Sequence, residues 1–237
     1  KEIVLTGVNL GAWGLDSNPQ KDITELLKRI LSETDIPRIR LSSLETWNLS
    51  EDFIRLWENP RLCPHFHLPL QSGSESVLKR MARRTRLSDF RNLVGLARSL
   101  DPSFAITSDV IVGFPGETEH EFQQTLDFIR EMNFCGGHVF SFSSRPGTAA
   151  ARMDGKVPGR IIKERSKILR DEFQIQKDRF YQSFLGKKMS VLWENSSIYE
   201  NKKWELHGMT GNYLTVKARC SRKMQNEISE IWLENYD

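Results

Sequence analysis

The sequence predicts a parallel α/β fold of open, barrel-like form, followed by a small all-β barrel, and three observations carry that prediction. Strand, glycine-rich loop and helix recur in that order along the first two thirds of the chain. The strands are short β-branched or apolar runs whose following helices supply the crossovers that parallel neighbours require. After Gly186 the composition changes to short alternating segments separated by Asn and Gly, the pattern of antiparallel strands closing on themselves.

The clearest unit is TSDVIVGFPGETEHEF, from Thr107 to Phe122. Ile106, Val110, Ile111 and Val112 form a strand-length run, and Gly113, Pro115 and Gly116 break it. Thr118 and Glu121 are spaced as a capping box, with Phe122, Thr125, Leu126 and Ile129 at helical intervals behind. Upstream, Ile3 to Leu5 enters the open loop TGVNLGAWG. A helix begins near Asp22, RIRLSS follows Pro37, and Ser50 is placed to cap a helix over 51–58. HFHLPLQSGSESVLKRM reads as strand, polar loop and a helix capped by Ser74, and a helix from Leu87 stops at Asp101-Pro102. HVFSFSS is the fifth strand. A long polar helix from Gly159, with Ile162, Leu169, Phe173, Phe180 and Phe184 along one stripe, reads as a strut ended by Gly186. The expected division is a barrel over 1–157, a linking and packing helix over 158–185 and a β-barrel over 186–237.

The chain of 237 residues carries a formal charge of only +3, so nucleic-acid binding would depend on local clusters. Cys63, Cys135 and Cys220 lie far apart without a C-x-x-C pair, which favours buried thiols over a disulfide framework or a cysteine metal site. No apolar run reaches membrane-spanning length, and a cytoplasmic location is expected. The first residue is Lys, and a strand begins at once, the pattern expected of a fragment.

Period-two alternation sets His65, His67, Pro69 and Gln71 on one face of their strand, against Phe66, Leu68 and Leu70. Likewise Thr107, Asp109, Ile111 and Gly113 oppose Ser108, Val110 and Val112. The polar sets should face the barrel interior, where each polar group needs a partner or a ligand. H-x-H lacks a third metal ligand at a fitting spacing, so pocket or satisfied interior histidines are preferred. Asp109 reads equally as a loop acceptor or a ligand contact. The basic run of Lys79, Arg80, Arg83, Arg84 and Arg86 fits a solvated helix end. Lys187, Lys188, Lys202, Lys203, Lys217, Arg219, Arg222 and Lys223 stand among Trp193, Tyr199, Trp204 and Tyr213. Cations beside aromatic faces suit looped or single-stranded RNA, while nearly balancing acidic residues suit a domain-docking barrel.

EIVLTGVNLGAWG, RIRLSSLE, HFHLPLQSGSESVLKRM, DVIVGFPGETEHEF and HVFSFSSRPGT, in this order, resemble the radical-SAM methylthiotransferase family, and the last fifty or so residues are similar to its C-terminal RNA-binding TRAM domain, an OB-like barrel. The resemblance implies an open, partial TIM-like barrel that binds S-adenosylmethionine against a [4Fe-4S] cluster and inserts a methylthio group at carbon 2 of an adenosine beside a tRNA anticodon. GVNLGAWG with SSLE looks like the subgroup acting on N6-threonylcarbamoyladenosine 37. Val8-Asn9 stands where the isopentenyladenosine and ribosomal-protein branches would show Gln-Asn and Gln-Asp. Thr46, Phe142 and Ser144 depart from residues common in the family.

The family's C-x-x-x-C-x-x-C is absent from the sequence. The resemblance therefore implies two clusters in a longer parent and none held by this fragment, which is expected to be inactive alone. Carried over by position, Gly7, Asn9, Ser43, Glu45, Gln71, Ser72, Arg83, Ile111, Gly113 and Phe140 would bind the cofactor, with backbone of 139–141 beside the adenine. Asp109 would be the catalytic-side residue. Lys187, Lys188, Lys202, Lys203, Trp204, Lys217 and Arg219 would meet the anticodon stem-loop. The sulfur donor is left open. Isopentenylated tRNA or a ribosomal protein as acceptor, and a non-catalytic RNA-binding protein, are the competing expectations.

Overall fold

The computed structural model describes residues 1–7, 9–199 and 203–236, with Asn48 described by its backbone alone. Its first part is built from parallel strands β1 (Glu2–Leu5), β2 (Arg38–Leu41), β3 (His65–His67), β4 (Ala105–Val112) and β5 (Gly136–Ser141). β1 pairs with β2, and β3, β4 and β5 form a second ladder in that order. Isolated parallel bridges, Ile39 to Leu62 and Ser43 to His67, join the two ladders. The strands thus follow one another in chain order, as right-handed crossovers dictate.

The crossover helices are α1 (Ile23–Glu33), α2 (Glu51–Arg55), α3 (Glu75–Arg80), α4 (Leu87–Leu100) and α5 (Glu119–Met132). Asp22 caps α1 through Glu25 N–H, Ser50 caps α2 through Phe53 N–H, and Thr118 with Glu121 completes the reciprocal box on α5. Ser74 occupies the N-cap of α3 without bonding its backbone. Its hydroxyl instead donates to Gln124 Oε1 at 2.7 Å, so tertiary contact with α5 has displaced the cap expected from sequence.

One core lies between the strands' outer face and the helices. Phe66, Leu68 and Leu70 are fully buried there with Ile106, Val110, Phe90 and Phe122, and Phe66 meets Trp57 and Phe104 ring to ring. Burying such side chains is worth roughly 1.5–3 kcal/mol each.

α6 (Gly159–Gln182) packs as well as links, its Tyr181 hydroxyl reaching Thr215 of the terminal sheet. It lies on the sheet beside β5, and Phe173 fills the space above Gly137, where a Cβ would come within 2.4 Å of the ring. Leu169 and Phe173 belong to the main core. The helix ends at Gln182, four residues before Gly186, which turns the chain at φ 72°.

Beyond it, β6 (Lys188–Tyr199), β7 (Lys203–Thr210), β8 (Thr215–Cys220) and β9 (Glu227–Trp232) form an antiparallel sheet in the order β8-β7-β6-β9. No ladder joins β8 to β9 among the described residues. Val191, Trp193, Leu206 and Val216 make its own small core. The sheet is seated against the first part: Arg38 donates to the carbonyls of Met209 (3.0 Å) and Ser190 (2.6 Å), and Arg40 to those of Gly211 (3.0 Å) and Thr210 (3.1 Å). Both arginines are buried and also face Glu2. The terminal sheet thus sits at the strands' amino-terminal ends.

Candidate functional site at the inward strand face

Register decides which side chains meet on the inward face. His65 pairs with Ala105 and His67 with Thr107 on β4, while Asp109 stands opposite His138 and Ile111 opposite Phe140 on β5. Period-two alternation then gathers His65, His67, Thr107, Asp109, His138 and Phe140. Phe140 is 51% exposed, so this face remains open toward β5.

A continuous polar chain crosses it. Thr107 Oγ1 lies 3.0 Å from His65 Nε2 and 2.9 Å from His67 Nδ1. His67 Nε2 lies 3.2 Å from Asp109 Oδ2. Asp109 Oδ1 and His65 Nδ1 have no partner among the described residues. Burial, reinforced by Arg40 and His67, holds His65 well below the ordinary imidazole value. The histidines are thus joined to Thr107 and Asp109, and the described residues contain no group of three side chains fit to hold a metal.

Above this face, Gln71 bridges to β4. Its N–H donates to Asp109 O and its carbonyl accepts from Ile111 N–H, both at 2.8 Å. It does so at φ 67°, in the left-handed region uncommon for a residue with a Cβ. Such strain often marks a ligand clamp. Ser43 is bridged to His67, and Glu45 meets Arg83 at 3.4 Å. Burial pushes the Glu45 carboxyl upward against the opposing pull of Arg83. Gly7 and Asn9 line an open groove of about 390 Å³ with Leu10, Trp13 and Asp16.

Two expected contacts are turned elsewhere. Ser72 is fully buried, and its hydroxyl faces Thr125 at 3.1 Å and accepts from Ser74 N–H. The backbone N–H of Gly113 donates to Glu117 at 2.9 Å, and a Cβ there would meet Ile162 at 2.5 Å. Gly113 serves close packing of α6 on the turn.

The turn is held by residues that sequence reasoning missed. Arg165, from α6, reaches buried Glu117 at 2.8 Å and exposed Glu119 at 2.9 Å. Burial raises the Glu117 carboxyl, with the bonds from Gly113 and Arg165 opposing it. Arg38 and Arg40 were also missed. Two arginines at i and i+2 of an otherwise apolar strand are the signal that could have exposed a buried polar interface.

On the terminal sheet, Lys188 pairs with Glu230 and Arg219 with Glu205. Arg219 also lies over Tyr199 at 4.1 Å, and Lys187 over Phe184 at 4.8 Å. Lys203 and Lys217 are exposed, Trp204 is half-buried, and Lys202 falls outside the described residues.

Parallel strands with polar, glycine-bearing carboxyl ends define an α/β protein of the kind that binds ligands at that edge. The Radical SAM superfamily model matches residues 1–129, and the chain belongs to that superfamily. It is 46% identical over 195 residues to the threonylcarbamoyladenosine tRNA methylthiotransferase MtaB of Thermotoga maritima, covering 82% of this chain and 44% of the relative. The Bacillus subtilis protein of the same name is 35% identical, covering 98% and 51%. A tRNA-2-methylthio-N(6)-dimethylallyladenosine synthase of Acetivibrio thermocellus is 38% identical, covering 85% and 42%. The chain thus spans about half the length of these curated relatives. Among solved structures it is similar in fold to coproporphyrinogen III oxidase (HemN) of Escherichia coli, a radical SAM enzyme, with TM-score 0.52 and 16% identity over 78% of this chain and 50% of that one.

Proposed function

We propose that this chain is the cofactor-binding and RNA-contacting part of a radical-SAM methylthiotransferase acting on carbon 2 of N6-threonylcarbamoyladenosine 37 in tRNA. The observation that carries this reading is the 46% identity to a threonylcarbamoyladenosine tRNA methylthiotransferase over most of the chain. The first part is taken as an open TIM-like barrel and the terminal sheet as a TRAM-like, OB-like module. The reading also includes a cytoplasmic location; no helix among the described residues is long and apolar enough to cross a membrane.

The residues present fit S-adenosylmethionine. Gln71 in its strained conformation, the unpartnered Asp109 oxygen and the half-buried Glu45 with Arg83 offer acceptors and donors for its ammonium, carboxylate and ribose. When bound, that cofactor supplies the methyl group and the radical chemistry. In this reading Gly7, Asn9 and Ser43 line the methionyl side, while Ile111 and Phe140 cover the adenine and exclude water.

The residues present do not fit an iron-sulfur cluster. Cys63 and Cys135 are buried and pushed up to about 12 by that burial, far from the thiolate state ligation requires. Cys220 faces the Arg222 carbonyl on the terminal sheet. We assign the two [4Fe-4S] clusters of the whole protein to other thiolates.

The partner in this reading is the anticodon stem-loop, approached by Lys187, Lys203, Lys217 and Arg219. The competing acceptor is dimethylallyladenosine, favoured by the 38% identity to its synthase. Mass analysis of tRNA nucleosides from cells without the protein separates the two, because each loses a different methylthio nucleoside.

A further inference from the structure

We infer that His67 is a positioning residue for Asp109, at the end of a tautomer-locked chain running from His65 through Thr107, which leaves Asp109 Oδ1 as a fixed acceptor for an N–H donor, amine or ammonium, of the bound ligand. The ligand class rests on the function proposed above; the hydrogen-bond chain does not.

The argument is a proton count. A threonine hydroxyl has one proton and two lone pairs, and each neutral imidazole has one N–H and one acceptor nitrogen. An unprotonated His67 Nε2 would turn its lone pair toward the Asp109 carboxylate, so Nε2 carries a proton and donates to Oδ2 at 3.2 Å. His67 Nδ1 then accepts from Thr107 at 2.9 Å, and Thr107 accepts from His65 Nε2–H at 3.0 Å. A doubly protonated His67 would instead leave the hydroxyl to donate either to His65 Nε2, which puts the His65 proton on a buried Nδ1 with no acceptor among the described residues, or to Phe66 O at 3.5 Å, a much poorer bond. The unpartnered Nδ1 of His65, which has no acceptor for a proton, selects the neutral chain.

Its far end is sealed by the terminal sheet. Tyr213 stacks on His65 with centroids 4.0 Å apart and planes parallel, while Arg40 sits over the same tyrosine at 5.4 Å. Tyr213 holds that pose at φ 69°, a backbone region that needs tertiary support. Arg40 from β2, Glu2 from β1, His67 from β3, Asp109 from β4, His138 from β5 and Tyr213 from the terminal sheet are the ionisable groups around the chain. With Arg40 above and no proton on Nδ1, His65 stays neutral and its single proton points along the chain. Nothing among the described residues satisfies Asp109 Oδ1, so the ordered carboxylate is left to a ligand.

Long-range proton–nitrogen NMR of the 237-residue chain reads both tautomers directly. The expected result is Nε2-protonated His65 and His67, with Thr107→Val freeing the His65 tautomer while Asp109 keeps His67 protonated at Nε2, and Thr107→Ser restoring the single His65 tautomer. An Nδ1-protonated or fully protonated His67 in the unsubstituted chain at pH 7 would overturn the relay, whatever the protein's reaction. S-adenosylmethionine and adenosine, added separately, are expected to shift the His67 Nε2 proton, and Asp109→Asn to weaken that binding at least tenfold. A response to S-adenosylmethionine alone assigns the donor to its ammonium, and a response to both assigns it to the adenine amine. No response to either overturns the acceptor role, even with the tautomers as expected. Loss or retention of the methylthio nucleoside in cells is a separate readout, so failure of the functional reading is distinguishable.

Discussion

Arg165 Nη1 lies 2.8 Å from Glu117 Oε2, with both side chains almost wholly buried, and this pair ties α6 to the turn that ends β4. The same carboxylate accepts from Gly113 N–H, so one ion pair sets the shape of the loop at the site's edge. Removing one member leaves the other charged and unpaired, at a cost of about 3–5 kcal/mol. Arg165→Met is expected to lower stability by that order in urea unfolding. Replacing both members with apolar residues of similar size is expected to recover much of the loss.

Glu121 provides the pH dependence. The bond from Arg80, then those from Ser76 and Thr118 N–H, hold its carboxyl down to about 2 against the opposing effect of burial. A depressed carboxyl contributes stability above its ordinary value and loses it as pH falls toward the folded one. The contribution is therefore present at pH 7 and drains between about pH 4.5 and 2, amounting to no more than about 3 kcal/mol and less after solvent screening. Glu121→Gln should destabilise at pH 7 and show a flatter acid limb in denaturation measured across pH.

The docking of the terminal sheet should depend on Arg38 and Arg40. Together they donate to backbone carbonyls of Ser190, Met209, Thr210 and Gly211. Hydrogen bonds from charged groups are worth roughly 1.5–3 kcal/mol each in favourable cases. The double variant Arg38→Met with Arg40→Met is expected to separate unfolding into two transitions and to raise hydrogen exchange at residues 209–212. A single unchanged transition would show that other contacts, such as Tyr213 on His65 and Asn212 on Ser103, hold the sheet in place.

RNA contact is tested by charge. Lys203 and Lys217 are exposed, and no ion pair engages either one among the described residues. Lys203→Glu with Lys217→Glu should weaken tRNA binding and flatten its dependence on salt, each lost phosphate contact removing roughly 0.7–0.9 from the logarithmic slope. Lys188→Glu should matter less, because Glu230 already partners Lys188.

Much of this was legible in local pattern and little of it in pairing. Alternation along HFHLPLQSG separated Phe66, Leu68 and Leu70 from His65 and His67 because a strand has only two faces. Thr118 and Glu121 announced their box because both partners lie within one turn. Ser72 and Ser74 sit in the expected loop, yet their hydroxyls are claimed by Thr125 and Gln124, fifty residues away. The link from His67 to Asp109, the Arg165 ion pair and the stack of Tyr213 on His65 depend on strand register and helix placement, which no local window contains. α6 read as a strut because its polar face dominates its composition, while Phe173 and Ile162 sit over Gly137 and Gly113, glycines distant in sequence.

The central claim is the reaction on threonylcarbamoyladenosine, and nucleoside mass spectrometry of tRNA tests it most directly. Cells lacking the protein should retain N6-threonylcarbamoyladenosine and lose its 2-methylthio derivative, and the whole-length gene should restore it. Unchanged 2-methylthio-N6-threonylcarbamoyladenosine in the deletion would contradict the account.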